Sequence, residues 1–140
     1  MNFIISTATD IGTTKATNQD SFNARVMTTP LGRMAFAVVC DGMGGLDKGE
    51  VASASVVNAF CKWAEQRLPD LCESGLTDSA VRADWVGIAT EYNEKIKLYG
   101  KRCGLASGPV SYTHLDVYKR QADLGGLQLQ WRKHGSPAGQ

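Results

Sequence analysis

Over residues 1–40, apolar residues fall in short runs separated by turn-forming residues, and that spacing predicts strands. Residues 3–9, with Phe3, Ile4 and Ile5, read as one strand, and residues 22–29, with Phe22, Val26 and Met27, as another. A polar connection, Asp10 to Asp20, lies between them. Thr29-Pro30-Leu31-Gly32 reads as a hairpin turn, because Pro and Gly preset the dihedrals a turn requires. It leads into a strand at 33–40, whose run Met34-Ala35-Phe36-Ala37-Val38-Val39-Cys40 has the β-branched and aromatic content of a buried strand. Three strands in this order predict an antiparallel meander.

From about residue 49 apolar residues recur at helical spacing instead. Ala52, Val56, Phe60 and Trp63 mark one face of a helix over about 49–68, with Pro69 just past its end. Val81, Trp85, Ile88, Tyr92, Ile96 and Tyr99 form a single apolar stripe on a second helix over about 78–99. Thr77 or Asp78 is placed to cap its start and Gly100 to close its end. Beyond residue 104 neither pattern persists, so the expected division is 1–104 as the folded part and 105–140 as a tail outside it.

Composition narrows the function without deciding it. With 140 residues, 43% hydrophobic and 21% charged, the chain has room for one domain with a real core. A formal net charge of +1 argues against a dedicated nucleic-acid binder, which carries a basic stripe. The start, Met1-Asn2-Phe3-Ile4-Ile5-Ser6, lacks the basic region of a secretory signal, and no segment approaches the ~20 apolar residues of a membrane span. Cys40, Cys61, Cys72 and Cys103 show no C-x-x-C spacing, so free thiols in a reducing, cytoplasmic setting are expected.

Several chemistries fail on residue type. Residues 1–104 contain no histidine, which removes Ser-His-Asp and Cys-His catalysis and histidine-ligated zinc from that part. Cys61 and Arg67 have the Cys-x5-Arg spacing of cysteine-dependent phosphatases, but the residues between them are bulky and fall mid-helix, where no phosphate-wrapping loop forms. Gly44 and Gly49 match the glycines of a Walker loop, whereas Glu50 and Val51 stand where Lys and Ser/Thr are needed. Asp41, Met43, Gly45 and Asp47 do not supply the alternating oxygens of a calcium loop.

What remains is Lys15-Ala16-Thr17-Asn18-Gln19-Asp20 together with Asp41-Gly42-Met43-Gly44-Gly45. If the first strands share a sheet, Asp20 and Asp41 converge at one edge, and glycines after a strand-tip carboxylate let backbone approach its ligand. Carboxylates, a backbone carbonyl and water are what Mg²⁺ or Mn²⁺ prefers. The plainer alternative makes Asp20 a turn residue and Asp41 a cap for the following loop.

In these residues the chain resembles the PPM-type (type 2C-like) metal-dependent serine/threonine protein phosphatases in their bacterial form. The matching segments are Thr9-Asp10-Ile11-Gly12 with Lys15-x-x-Asn18-Gln19-Asp20-Ser21-Phe22, then Val39-Cys40-Asp41-Gly42-Met43-Gly44-Gly45 with Gly49-Glu50-x-Ala52-Ser53. The resemblance covers roughly residues 1–104, less than half of a typical catalytic domain of the family. It implies an α+β fold, an incomplete α-β-β-α sandwich holding the first strands and first helical hairpin. It also implies hydrolysis of phosphoserine and phosphothreonine in proteins by water activated between two Mn²⁺ or Mg²⁺ ions. Asp41 corresponds to the carboxylate bridging both ions, Gly42 to a carbonyl ligand, and Asp20 to an acidic residue acting near the metals partly through water. Lys15 stands where the family usually has a phosphate-gripping Arg, and supplies charge without the bidentate fork. Gln19 stands where Glu is common, and would hold outer-shell water. Implied partners are phosphoprotein substrates and a cognate serine/threonine kinase, with neither nucleic acid nor membrane.

The family's later acidic motifs have no counterpart, so the chain as written is expected to have little or no activity. Ser111-Tyr112-Thr113-His114-Leu115-Asp116-Val117-Tyr118-Lys119-Arg120-Gln121 resembles a translated sequencing-adapter sequence, which implies that residues from about 105 onward are foreign to the domain. A genuine polar extension is the alternative. A non-catalytic phosphatase-like module that binds a phosphopeptide or a partner kinase is the competing functional expectation.

Overall fold

The computed structural model describes residues 3–9, 18–40 and 49–103, together with the backbone of 115–120 and 128–130. Its architecture is α+β. Strand β1 (Ser21–Thr29) pairs antiparallel with β2 (Gly32–Cys40), from Ser21 opposite Cys40 to Thr29 opposite Gly32. Three helices follow: α1 (Gly49–Gln66), α2 (Leu68–Ser74) and α3 (Asp78–Arg102). Strands β3 (Leu115–Arg120) and β4 (Gln128–Gln130) extend the sheet in the order β1-β2-β3-β4.

The hairpin turn has a definite chemical origin. Pro30 cannot adopt the positive φ of a mirror-image turn, so the left-handed residue is Gly32, with φ +101°. Thr29 Oγ1 accepts from Leu31 N at 3.2 Å and donates to the Gly32 carbonyl at 2.8 Å, which binds both sides of the turn. Along β2, whose continuous apolar run reads as a buried strand, the side chains instead alternate in burial. Met34, Phe36, Val38 and Cys40 are buried beneath α1, whereas Val39 on the other face is half-exposed.

The core lies between that face of the sheet and the helices. Phe60, fully buried, meets Trp85 edge-on with ring centroids 6.2 Å apart. Trp63 meets Trp85 at 5.4 Å and 74°, in the edge-to-face range that aromatic pairs prefer. Trp63 also touches Phe36, which joins β2, α1 and α3 in one cluster. Arg25, on the inner face of β1, pairs with Glu65 of α1. That hydrogen bond raises the guanidinium pKa, partial burial opposes it, and the neighbouring Cys61 adds to the rise.

Four expectations change. Residues 3–9 form no strand, and Ile4 is 96% exposed. Strand propensity there is not matched by a ladder partner, and an isolated strand orders its backbone without compensating hydrogen bonds. The meander is therefore a two-stranded hairpin extended by β3 and β4, which lie in the stretch where no pattern persists. The helix expected to 68 stops at Gln66, and Pro69 occupies the first turn of a separate short helix, α2, where its missing N–H leaves no bond unmade. Gly75, with φ +98°, ends α2.

Gly100 does not close α3. The helix continues to Arg102, with Lys101 and Arg102 in its last turn, where cations complement the helix dipole. Its start is as expected: Thr77 Oγ1 accepts from Ala80 N at 3.3 Å. Of the apolar stripe, only Val81 and Trp85 are fully buried. Ile88, Tyr92 and Ile96 pack partly on the core, and Tyr99 is exposed. No disulfide joins the four cysteines, and of them only Cys103 is exposed. No helix among the described residues is long and apolar enough to cross a membrane.

Candidate functional site

The antiparallel register defines one end of the hairpin. Ser21, the first residue of β1, lies opposite Cys40, the last of β2. Asp20 therefore precedes, and Asp41 follows, the same paired step of the ladder. Asp41, Gly42 and Lys15 lie outside the described residues.

The segment leading into β1 is tied down on several sides. Asn18 Oδ1 accepts from Asp20 N at 3.0 Å, an Asx-type turn that fixes the backbone entering Asp20. The Asn18 amide donates to Thr9 Oγ1 at 2.6 Å, which joins residues 3–9 to the start of the hairpin. The Asp20 side chain is exposed.

Helix α1 supports this segment from below. Ser53, 3% exposed, donates its hydroxyl to the Gln19 carbonyl at 2.6 Å and lies 2.9 Å from Ser21 Oγ. A hydroxyl has one hydrogen, and the Glu50 carbonyl is farther away at 3.2 Å. With that hydrogen directed at Gln19, the Ser21 hydroxyl is the donor to Ser53. Gly49, one helical turn earlier, lets the Gln19 carboxamide lie directly on the helix: a Cβ there would sit 2.8 Å from Gln19 Oε1 and 2.9 Å from Cδ. Gln19 is thus packed on α1 rather than extended into solvent.

Asn18, Gln19, Asp20 and Ser21 together offer only oxygen and amide groups. This donor chemistry suits a hard divalent cation and does not suit zinc. Among the described residues, no group of three or more His, Cys, Asp or Glu side chains is gathered to hold a metal. The Cys-x5-Arg alternative has no phosphate loop: Cys61 and Trp63 are buried within α1, and Arg67 pairs with Asp84 of α3. Sequence reasoning quoted Gly49 and Ser53 within a motif but gave them no role. Their spacing of four residues, which puts both on one helix face, was the available signal. The chain matches no protein-family model, no curated protein and no solved structure.

Proposed function

We propose that residues 1–104 are the N-terminal part of a PPM-type metal-dependent serine/threonine protein phosphatase, and that residues 105–140, although β3 within them pairs with β2 here, are foreign to the natural sequence of that domain. The observation that supports this reading is the pairing of Ser21 with Cys40, the residues next in sequence to Asp20 and Asp41. That is the arrangement two motif carboxylates need if they are to share a cation-holding edge.

In this reading Asp41 and Asp20 are the acidic residues of the metal edge and Gly42 lends its carbonyl, while the Gln19 carboxamide, expected to hold outer-shell water, packs on Gly49 instead. Lys15 offsets negative charge on the substrate phosphate. The bound Mn²⁺ or Mg²⁺ ions supply a lowered water pKa and charge neutralisation for phosphoester hydrolysis. The chain's own contribution is positional, which accords with phosphoryl transfer depending on placement and electrostatics. One or two carboxylates hold divalent cations weakly, so this polypeptide binds Mn²⁺ without appreciable turnover of p-nitrophenyl phosphate.

Paramagnetic broadening by Mn²⁺ tests the reading, because it locates even a weak site. Amides of residues 18–21 and of those following Cys40 are expected to broaden together, and Asp20→Asn and Asp41→Asn each to raise the Mn²⁺ concentration required. Broadening confined to surface glutamates of α3, or variants indistinguishable from the parent, would overturn it.

A further inference from the structure

We propose that Ser53 of α1, with Gly49 one turn before it, is a positioning residue that fixes the backbone carrying the Asp20 carboxylate at the end of the hairpin. The inference rests on the metal-edge reading above and extends it to a residue that need not touch the metal.

Asp20 lies between two residues that α1 holds. On one side, the Gln19 carbonyl accepts the Ser53 hydroxyl at 2.6 Å and the Gln19 carboxamide lies on Gly49. On the other, the Ser21 hydroxyl meets Ser53 Oγ at 2.9 Å. One buried hydroxyl therefore receives from the residue after Asp20 and donates to the residue before it. The Asn18 side chain fixes the Asp20 amide from a third direction. The exposed carboxylate has rotamer freedom of its own, but the backbone that carries it has little.

A short backbone segment held at three points is pre-organised. A ligand that needs the carboxylate in one direction then has less ordering left to impose. Ser53 is a mid-helix serine, and such a residue ordinarily returns its hydroxyl to a carbonyl of its own helix. Here the nearest such carbonyl, that of Glu50, is the longer contact at 3.2 Å, and the stronger bond leaves the helix for Gln19. Gly49 has a similar reading: it is the position at which the helix backbone and the Gln19 side chain approach too closely for a Cβ.

The test uses the full chain, with Mn²⁺ alone as the probe, and reads amide hydrogen exchange at residues 19–21 beside the Mn²⁺ midpoint from paramagnetic broadening. Ser53→Ala is expected to speed exchange at Asp20 and Ser21 and to raise the midpoint about three- to tenfold, the range one lost hydrogen bond supports. Gly49→Ala, which favours the helix while displacing Gln19, is expected to move both readouts in the same direction. It keeps the inference testable if Ser53→Ala fails to fold. Cys72→Ala, a buried truncation in α2 remote from the site, is expected to lower stability while leaving the midpoint unchanged. If Asp20→Asn weakens Mn²⁺ binding while Ser53→Ala and Gly49→Ala leave midpoint and exchange at parental values, the positioning role is wrong and the metal edge stands. If Asp20→Asn itself has no effect, the metal edge is wrong and this inference falls with it.

Discussion

Asp84 is the side chain through which α3 is locked to α1, and its removal has a calculable effect. Its Oδ2 accepts from the buried indole Nε1 of Trp63 at 2.9 Å and from Arg67 Nε at 3.2 Å. The two contacts differ in worth. The Arg67 pair is half-exposed and is worth about 0–1 kcal/mol. Trp63 is only 7% exposed, and leaving its N–H without an acceptor costs about 1–3 kcal/mol. Asp84→Ala should therefore destabilise by about 1–4 kcal/mol, with about 2 kcal/mol as the central value. Asp84→Asn keeps an acceptor for the indole and should lose less than about 1 kcal/mol. With a urea slope of about 2 kcal/mol/M, the unfolding midpoint falls by about 1 M for the alanine variant and by less than half of that for asparagine. Urea titration followed by tryptophan fluorescence reads both. Repeating Asp84→Ala in a Trp63→Phe background, where no indole donor remains, should reduce its cost to that of the ion pair alone. Equal midpoints for the two Asp84 variants, or an unchanged cost in the Trp63→Phe background, would show that the indole bond carries no stability.

Three further outcomes are expected. Gly100→Ala should stabilise by about 0.5–1 kcal/mol, since the residue is helical and a Cβ there meets nothing within 4 Å; a loss of stability in thermal unfolding would instead mean a left-handed helix end. Phe60→Ala, which empties the centre of the aromatic cluster, should cost about 3–5 kcal/mol and broaden or abolish the cooperative urea transition. The Glu94 carboxyl is held below its ordinary 4.5 chiefly by a hydrogen bond from Lys97, so its contribution to α3 is complete above that value and is lost as pH falls through the depressed one. Carbon-detected titration should show the midpoint returning toward 4.5 in Lys97→Ala and in high salt.

The parts of the fold that were legible in the sequence are those fixed by local periodicity. The run Met34 to Cys40, read as a buried strand, buries one of its two faces, and the stripe read from Val81 to Tyr99 is buried at Val81 and Trp85, partly buried at Ile88, Tyr92 and Ile96, and exposed at Tyr99. The Thr29–Gly32 turn was legible because Pro and Gly restrict dihedrals regardless of tertiary context. Residues 3–9 were misread because strand formation depends on a partner, and a seven-residue run does not name one. Gly100 was misread because a glycine ends a helix only where the next turn gains nothing, and Lys101 and Arg102 give the dipole a reason to continue. For the site, the identity of Asp20 was legible, but its support was not. Ser53 and Ser21 are 32 positions apart, and only the packing of α1 on β1 brings their hydroxyls to 2.9 Å.

The two faces of the hairpin carry an argument about what this sequence is built for. By register, Ser21, Asn23, Arg25 and Met27 share the face covered by α1 with Cys40, Val38, Phe36 and Met34. Phe22, Ala24 and Val26 share the opposite face with Val39, Ala37 and Ala35. On β1 the face away from the helix is apolar from Phe22 to Val26 and ends in Thr28, opposite Arg33, while the helix-facing side carries a serine, an asparagine and an arginine. A hairpin meant to present one side to water would show the reverse. Apolar residues on both faces of β2 and on the outer face of β1 suit a sheet with layers on both sides, one helical and one not yet accounted for. Phe22 and Val39, 40% and 47% exposed, are the positions such a second layer would cover. The polar residues on the helix side are not misplaced: Ser21 and Arg25 reach Ser53 and Glu65, so they anchor α1 at two points along its length. The same α1 that covers one face of the hairpin holds the backbone on either side of Asp20.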